Sequence, residues 1–592
     1  MKIFFSYETQ RKVFLFFLIL WALTSIAALV GMYHLWWTRE YRLYYNKSVS
    51  EQRVIVFGLY GMSPALLNDT YEIDQRWPRY IHYETAGDRN KLSYIKYLLI
   101  PRVPSGSGNW VITEKSGKLL YTNVNYSNQE ARISFTPKPR GFLISLLLLL
   151  GVTVLIKRFS FFQVLSLPER FVVAFLMLTL LTILSKVIFW EATFGFWFMS
   201  ALGICGGVLA IVEIFNCEKY LNIIMLFRKM DISKGIIKSR PAFICIVLML
   251  SFTVLWSMLM SVIVVPDDWD AWAIWGSKAK VLALGLGPLK DVTFFDHVDY
   301  PLLWPSLWAF SGWCAGGWEE NWSRAWGPLL MLLCAWEVGI NIHRLSHDIS
   351  AGLFGAALFL SVPMTPLIAS WSYAESALWL MMVCSFGYLL LWRKESHWKY
   401  LTIAGLFAAA AAYTKNEGLL FAFLGFLWVI AIKPKRFINN CFYYCIPLAL
   451  FYIPWLWWIR VTLHLSSHAV AGINFDSATL LMAFHRCNEA LPLIGRMWAD
   501  IRYWNIVLWL ILISAIYGVI AKKHLICLSI PLLMLLFSFV AIIFHQQEMP
   551  ILITAWERIT TQTLPLFLVV LVPLLFSRNL NSIEIVESAF DA

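Results

Sequence analysis

The chain has 592 residues, 59% of them hydrophobic and 14% charged, and a mean hydropathy of +0.65. Soluble domains average about 25% charged residues, so the composition excludes a soluble globular protein and reads as a polytopic membrane protein. The net charge of +12 does not call for nucleic acid, because the basic residues fall in short clusters that alternate along the chain.

Near the N-terminus, Arg11 and Lys12 precede an apolar run reaching Trp37 with no small-residue cleavage site after it. This reads as a retained first span over 1–37, not a removed leader. Residues 38–139 change character. Stretches 54–57, 110–112 and 118–121 are strand-like, the last following a Ser-Gly turn, and 104–108 reads as a loop. The pattern predicts a small α/β domain. Residues 140–242 then hold three further spans and a basic loop, and 243–577 hold the spans of a core whose first large loop is 266–325. Residues 578–592 form a tail.

Candidate spans begin near Val13, Phe142, Phe171, Phe196, Phe243, Trp326, Gly352, Ala374, Leu401, Leu419, Tyr443, Trp504, Leu525 and Leu564, about fourteen stretches of roughly bilayer length. Basic clusters lie at Arg11 and Lys12, Lys157 and Arg158, 219–240, His343 and Arg344, Arg393 and Lys394, 433–436, Lys522 and Lys523, and Arg578. All fall on one side if the N-terminus is inside, so the positive-inside rule places both termini in the cytoplasm. Glu375, residues 415–417, 464–500 and 545–558, and the loop 266–325 then fall outside.

That first outer loop opens with Asp267-Asp268-Trp269-Asp270-Ala271-Trp272, followed by Lys278 and Lys280. Carboxylates can act as bases, lysines can hold phosphate, and indoles can stack on sugar or anchor at the interface. The competing reading is that an Asp caps a helix beginning near Ala271, but one cap does not need three acids. Two helical turns bring Lys278 near the azimuth of Asp270, whereas Lys280 points elsewhere and snorkels. Trp304, Trp308, Trp313, Trp318, Trp322 and Trp326 suit helices lying flat at the interface. Lys415 and Glu417 flank a tight turn, where a mutual ion pair competes with a ligand role. Arg324, Arg502 and Arg558 are outer arginines of the type that binds phosphate through two N–H groups. His297, His464, His468, His485 and His545 lack paired spacing and read as loop residues. Glu213 and Glu337, near inner span ends, read as snorkelling acids. Cys314 and Cys487 could pair outside; the other cysteines read as packing residues. No zinc-site spacing, Gly-rich phosphate loop or ATP motif occurs, so energy for any chemistry must come with the substrate.

Taken in order, Asp267-Asp268-Trp269-Asp270-Ala271-Trp272, Asp299-Tyr300-Pro301-Leu302-Leu303-Trp304-Pro305, Ser372-Tyr373-Ala374-Glu375, Tyr413-Thr414-Lys415-Asn416-Glu417-Gly418 and Trp556-Glu557-Arg558 ahead of Leu564-Pro565 make the chain resemble the GT-C superfamily. These are integral-membrane glycosyltransferases of the protein-mannosyltransferase and aminoarabinose-transferase kind, which use polyprenyl-phosphate-linked sugars. The resemblance covers about 243–576. The chain departs from the simplest members in carrying four spans and an outer domain ahead of the core, and in reading Asp-Asp-Trp-Asp where Asp-Glu is commoner.

The resemblance implies an all-α GT-C-like transmembrane core and an α/β domain on the extracytoplasmic face. It implies an inverting transfer of a single sugar from undecaprenyl phosphate, at the periplasmic face of a bacterial inner membrane, to an envelope glycan, lipid or protein. In this reading Asp268 or Asp270 is the base, with Glu375 assisting. Lys278, Lys415 and Arg558 hold the donor phosphate, while Asp267, Trp272, Tyr300 and Glu417 contact substrate. Some members need a divalent metal and others do not. A glycan polymerase or ligase and a non-enzymatic transporter are the alternatives. Ligases favour a large late outer loop, whereas here the largest core loop comes first and holds the acids. The topology is tested with an impermeant thiol reagent in a background without native cysteines. Cysteines at Asp296, Ser372 and Gln547 should label from outside, and those at Lys394 and Lys522 only after permeabilisation. Labelling of 296 and 394 from the same side overturns the assignment.

Overall fold

The structure, a computed structural model, describes residues 19–31, strand residues between 82 and 121, and 139–189, 193–215, 240–264, 268–284, 297, 300–462, 477–520, 525–544 and 549–576. It is an all-α polytopic membrane protein carrying one small sheet. Among the described residues, seven helices are long and apolar enough to cross a bilayer, or up to eight if the bent pair Ile349–Ser361 and Met364–Ser370 is one span. Helices Trp398–Ala412 and Asn416–Ile432 coincide with expected spans but fall short of bilayer length.

The sheet has strands at His82–Ala86, Val103–Pro104, Trp110–Lys115 and Lys118–Tyr121. The first pairs in parallel with the second and third, and the third and fourth form an antiparallel hairpin in which Lys115 faces Lys118. The strand expected at 54–57 and most of 38–139 lie outside the described residues, as does Asp267.

Helix Glu375–Glu395 is the axis of the core, and its apolar window is buried along its whole length. It is apolar on all sides, as a helix surrounded by other helices must be. Helices Trp326–Ser346, Trp398–Ala412 and Met549–Phe576 pack around it. The N-terminal helices join this body through the first loop. Helix Leu303–Cys314 packs on Pro139–Arg158, where the hydroxyls of Ser145 and Ser311 lie 2.7 Å apart. Trp326 donates to the Ser311 hydroxyl at 2.6 Å. The expectation that the loop tryptophans lie flat at the interface is corrected for three of the six: Trp304, Trp308 and Trp326 are fully buried, whereas Trp313, Trp318 and Trp322 are part-exposed. The buried indoles fill the space where the first loop is wedged between helices, which gains more apolar contact than an interfacial position.

Helices Pro139–Arg158 and Thr193–Phe215 cross with backbones touching, because a Cβ on Gly151 would collide with the carbonyl of Gly203. Neither backbone can yield without separating the helices. Gly151→Leu should therefore lower the thermal midpoint of the protein in lipid nanodiscs, at a cost of about 1–3 kcal/mol or more. Gly207, with open space at its Cβ position, is the control: Gly207→Ala should leave the midpoint near wild type.

Candidate functional site

The charged residues singled out above meet at one end of the bundle. Helix Arg240–Ile263 ends just before Val264, and the acid cluster is described from Asp268 onward. Residues 270–276 then form a π-helical stretch that runs on as the α-helix Ser277–Ala283. Hydrogen bonds of the i→i+5 kind widen that turn, so the azimuth expected for Lys278 on a regular α-helix does not apply. Among the described residues the helix begins at Trp269 without a side-chain cap hydrogen bond, so the capping expected of an Asp is not seen there.

The second contribution is the turn 371–374 between Met364–Ser370 and Glu375–Glu395. Ser372 there has φ of +65°, a left-handed conformation that costs a serine free energy and needs outside support. Support comes from Trp304, whose indole donates to the Ser372 carbonyl at 2.9 Å, and from Arg324, which donates to the Ser372 hydroxyl at 2.8 Å and the Ser370 carbonyl at 3.0 Å. Arg324 also donates to the carbonyl of Val264. One buried guanidinium thus ties the strand of chain entering the acid cluster to the turn bearing Tyr373 and Glu375. Ser372 itself is fully buried, which removes it as an outside labelling position.

The third contribution is the turn between Trp398–Ala412 and Asn416–Ile432, and the fourth is helix Met549–Phe576. Together they complete a ladder of charges. Lys415 Nζ donates to Glu375 Oε1 at 2.8 Å and lies 3.0 Å from Glu417 Oε1. Arg558 Nε is 3.9 Å from the same Glu375 oxygen, and its Nη1 donates to Asp270 Oδ2. The Arg558 guanidinium also lies 5.0 Å from the centre of the Tyr373 ring, and the Tyr373 phenol hydrogen-bonds Asp268. Glu375 is fully buried and Lys415 nearly so, whereas the side chains of Asp270, Arg558 and Glu417 are 24%, 20% and 22% exposed. The ladder opens at that rim. Among the described residues, Glu375 Oε2 and Glu417 Oε2 accept no hydrogen bond.

The electrostatics follow from these contacts. Burial alone raises the Asp270 carboxyl, but the Arg558 charge, its hydrogen bond, and the charges of Lys415 and His297 together hold it below the ordinary carboxylate range. Burial disfavours the Lys415 ammonium, yet Glu375 and Glu417 outweigh it and raise the group. Burial first, then the charges of Asp268 and Asp270, push the Tyr373 phenol well up, so it stays a neutral donor.

The other expected residues stand around this ladder. Lys278 is buried, and its ammonium donates to the carbonyls of His297 at 2.5 Å and Tyr300 at 3.2 Å. It anchors the loop carrying Tyr300 instead of facing outward. Tyr300 stacks between Trp275, at 5.4 Å, and His297, at 4.9 Å. Trp272 is buried against Trp269. Lys280, expected to snorkel, is buried as well. Arg502 pairs with Asp500 at 2.6 Å, as neighbours in one turn. Cys314 and Cys487 are both free. Among the described residues no group of three or more His, Cys, Asp or Glu is arranged to hold a metal ion. Sequence reasoning missed Tyr373 and the structural role of Arg324; the signal for Tyr373 was its place two residues before Glu375.

Because the Asp270 carboxyl is held low, its pairing contributes stability above the ordinary carboxylate range and loses it as pH falls through the lowered value. The midpoint difference between wild type and Asp270→Asn should therefore be present at neutral pH and vanish in acid. A difference unchanged down to about pH 2 would show that the pair does not titrate in this way. No protein-family model, curated protein or solved structure matches the chain.

Proposed function

We propose that this end of the bundle transfers a sugar from a polyprenyl-phosphate carrier to an acceptor hydroxyl, with inversion. The observation that carries the reading is the ladder itself. Residues 268–270, 373–375, 415–417 and 558, far apart in sequence, bring acids, cations and an aromatic ring to one partly open rim. In a membrane protein such a cluster is a functional site by default. The order of motifs resembling GT-C enzymes supports the same reading, and the sidedness of the basic clusters supports an outer-face site in a cytoplasmic membrane.

The chemistry divides the acids. An acceptor oxygen attacks the anomeric carbon, the bond from that carbon to the phosphate oxygen breaks, and polyprenyl phosphate leaves. The acceptor proton passes to a carboxylate on the attacking side. A carboxylate in a hydrogen-bonded pair with guanidinium surrenders basicity, which argues against Asp270. Asp268 meets the neutral phenol of Tyr373 instead, so we assign it as the base. Asp270 then holds Arg558 in place.

Charge also divides the cations. Lys415 is shared by two carboxylates and nearly buried, so a phosphate reaching it must displace one of them. Arg558 is at the rim, and among the described residues its Nη2 makes no hydrogen bond. We assign the phosphate contact to Arg558, with Lys415 neutralising Glu375 beneath it. Glu375 is then a positioning group for both cations, and the rings of Tyr373, Tyr300 and Trp275 line the approach for the sugar.

Purified protein in nanodiscs should transfer sugar from an undecaprenyl-phosphate donor to an acceptor identified by comparing envelope glycans with and without the protein. Asp268→Asn should abolish transfer and leave binding of undecaprenyl phosphate itself intact. Arg558→Ala should weaken that binding about tenfold to a hundredfold, the loss of a charge-assisted contact of about 1.5–3 kcal/mol. Unchanged binding removes Arg558 from the site, and full transfer by Asp268→Asn removes the base.

A further inference from the structure

Toward the opposite end of helix Glu375–Glu395 from the ladder, the described acids are already engaged. Glu169 and Glu337 are both fully buried and share Arg344, whose Nη1 lies 2.7 Å from Glu169 Oε1 and 3.6 Å from Glu337 Oε1. Glu337 is thus not the snorkelling acid its position in the sequence had implied. Asp348 caps helix Ile349–Ser361 by accepting from the Ser350 N–H at 2.7 Å. Glu395 accepts from the Tyr400 hydroxyl at 2.9 Å.

The cations at that end are not so engaged. Lys394 and Lys399 flank the turn 396–397 between helices Glu375–Glu395 and Trp398–Ala412. A second turn, Pro434–Arg436, joins helices Asn416–Ile432 and Phe437–Trp457 and presents Lys435 and Arg436 directly after Lys433. Lys433 ties the two turns together. Its ammonium donates to the Ser396 hydroxyl and stands 5.5 Å from the centre of the Trp392 ring. Lys394 Nζ lies 3.3 Å from His347 Nε2. Among the described residues, none of Lys394, Lys399, Lys433, Lys435 and Arg436 pairs with a carboxylate. Lys433 is half-buried and the other four are exposed. Like charges gathered in adjoining turns repel, and an anion brought from outside the chain relieves the repulsion.

An apolar track begins where the cations end. On helix Phe437–Trp457, the residues Ile438, Phe442, Ile446 and Leu450 are all exposed. Their four-residue spacing sets them on one face. That face runs about 18 Å from Ile438 to Leu450, close to the roughly 15 Å of half a hydrocarbon core. Beside its start, the exposed Trp398 meets the ring of Tyr443 at 5.2 Å, and such rings favour the headgroup level. Cations, aromatic rings and an apolar track thus follow one another in the order in which a phospholipid presents phosphate, ester region and acyl chain.

We propose that the turns 394–399 and 433–436, with the Ile438–Leu450 face, form a seat for one anionic phospholipid. The lysines and Arg436 take its phosphate, with the guanidinium offering a planar fork, and an acyl chain lies along the track. A soluble phosphate would fill only the upper half of this seat. The inference depends on the chain's spanning a bilayer and not on the chemistry proposed for the other end.

The test uses the full chain in mild detergent, with phosphatidylglycerol and phosphatidylcholine supplied in equal amounts and bound lipid counted by native mass spectrometry. Wild type should retain phosphatidylglycerol over phosphatidylcholine by about tenfold or more. The triple variant Lys433→Gln/Lys435→Gln/Arg436→Gln should weaken that retention about a hundredfold. Lys157→Gln/Arg158→Gln, which removes the exposed cations ending helix Pro139–Arg158, should leave it near wild type. Phe442→Ser should weaken it with no change of charge, because the track loses apolar contact. Glycerol 3-phosphate, the headgroup chemistry without chains, should not displace the lipid. Equal retention of the two lipids by wild type overturns the proposal and needs no variant to fold. Undiminished retention in the triple variant, or equal loss in the Lys157/Arg158 control, overturns it as well. Displacement by glycerol 3-phosphate as effective as by phosphatidylglycerol would mark a free-phosphate site and overturn the lipid seat.

Discussion

Glu375 has no exposed surface, yet it stands at the first turn of the helix on which the core is built. A buried carboxylate without counter-charge costs several kcal/mol or more, so its position depends on Lys415 and Arg558 arriving from two other elements. Those cations are buried or half-buried in their turn and need Glu417 and Asp270. No member can be placed before the others. The 371–374 turn, the 413–415 turn, the acid loop and helix Met549–Phe576 therefore reach their final positions as one unit. Neutral supports reinforce this, since Arg324 and Trp304 fix the turn, and Leu303 donates its N–H to the Tyr413 carbonyl at 3.2 Å.

Helix Glu375–Glu395 carries polar groups at both ends of an otherwise apolar body. Glu375 faces the rim ladder, and Tyr388 faces Glu169 and Arg344, thirteen residues or about 20 Å farther along. The two clusters differ in kind. At the rim, carboxylates and cations alternate and the outermost groups reach the surface. At the other end, two carboxyls share one cation and both are buried. The first arrangement suits a ligand that exchanges places with protein charges, and the second suits a joint that holds helices together.

Much of this was legible in the sequence. The polytopic class follows from composition, and the grouping of Asp270, Glu375, Lys415, Glu417 and Arg558 at one end follows from counting spans and basic clusters. What the sequence hid depends on burial. Lys278 and Lys280 look like free cations because lysines usually are, and nothing local reveals that the loop folds back over them. The tryptophans of 304–326 look interfacial because an indole suits an interface and a core equally well. Glu169 is a single acid beside Pro168 and Arg170 in a short connecting stretch, and only the approach of Glu337 and Arg344 from a distant helix gives it meaning. The π-helical stretch 270–276 defeats any azimuth argument that assumes a regular helix. The divide between Asp268 and Asp270 depends on which partner each finds, a phenol or a guanidinium, and both partners come from far along the chain.

The bend of 64° between Ile349–Ser361 and Met364–Ser370 sets the depth of the site. With the thirteen-residue helix set along the bilayer normal, it and the seven residues inclined at 64° would climb about 24 Å, less than the roughly 30 Å of a hydrocarbon core. Set that way, the 371–374 turn that follows would be a floor sunk below the level reached by full-length neighbours. On the proposed reading, a lipid carrier whose phosphate seeks Arg558 would come in sideways from the bilayer and dip, while the acceptor would lower a hydroxyl from the aqueous side. The same geometry would hold back bulk water, so under that reading a reactive carbon at that depth would meet the acceptor delivered to it more readily than solvent.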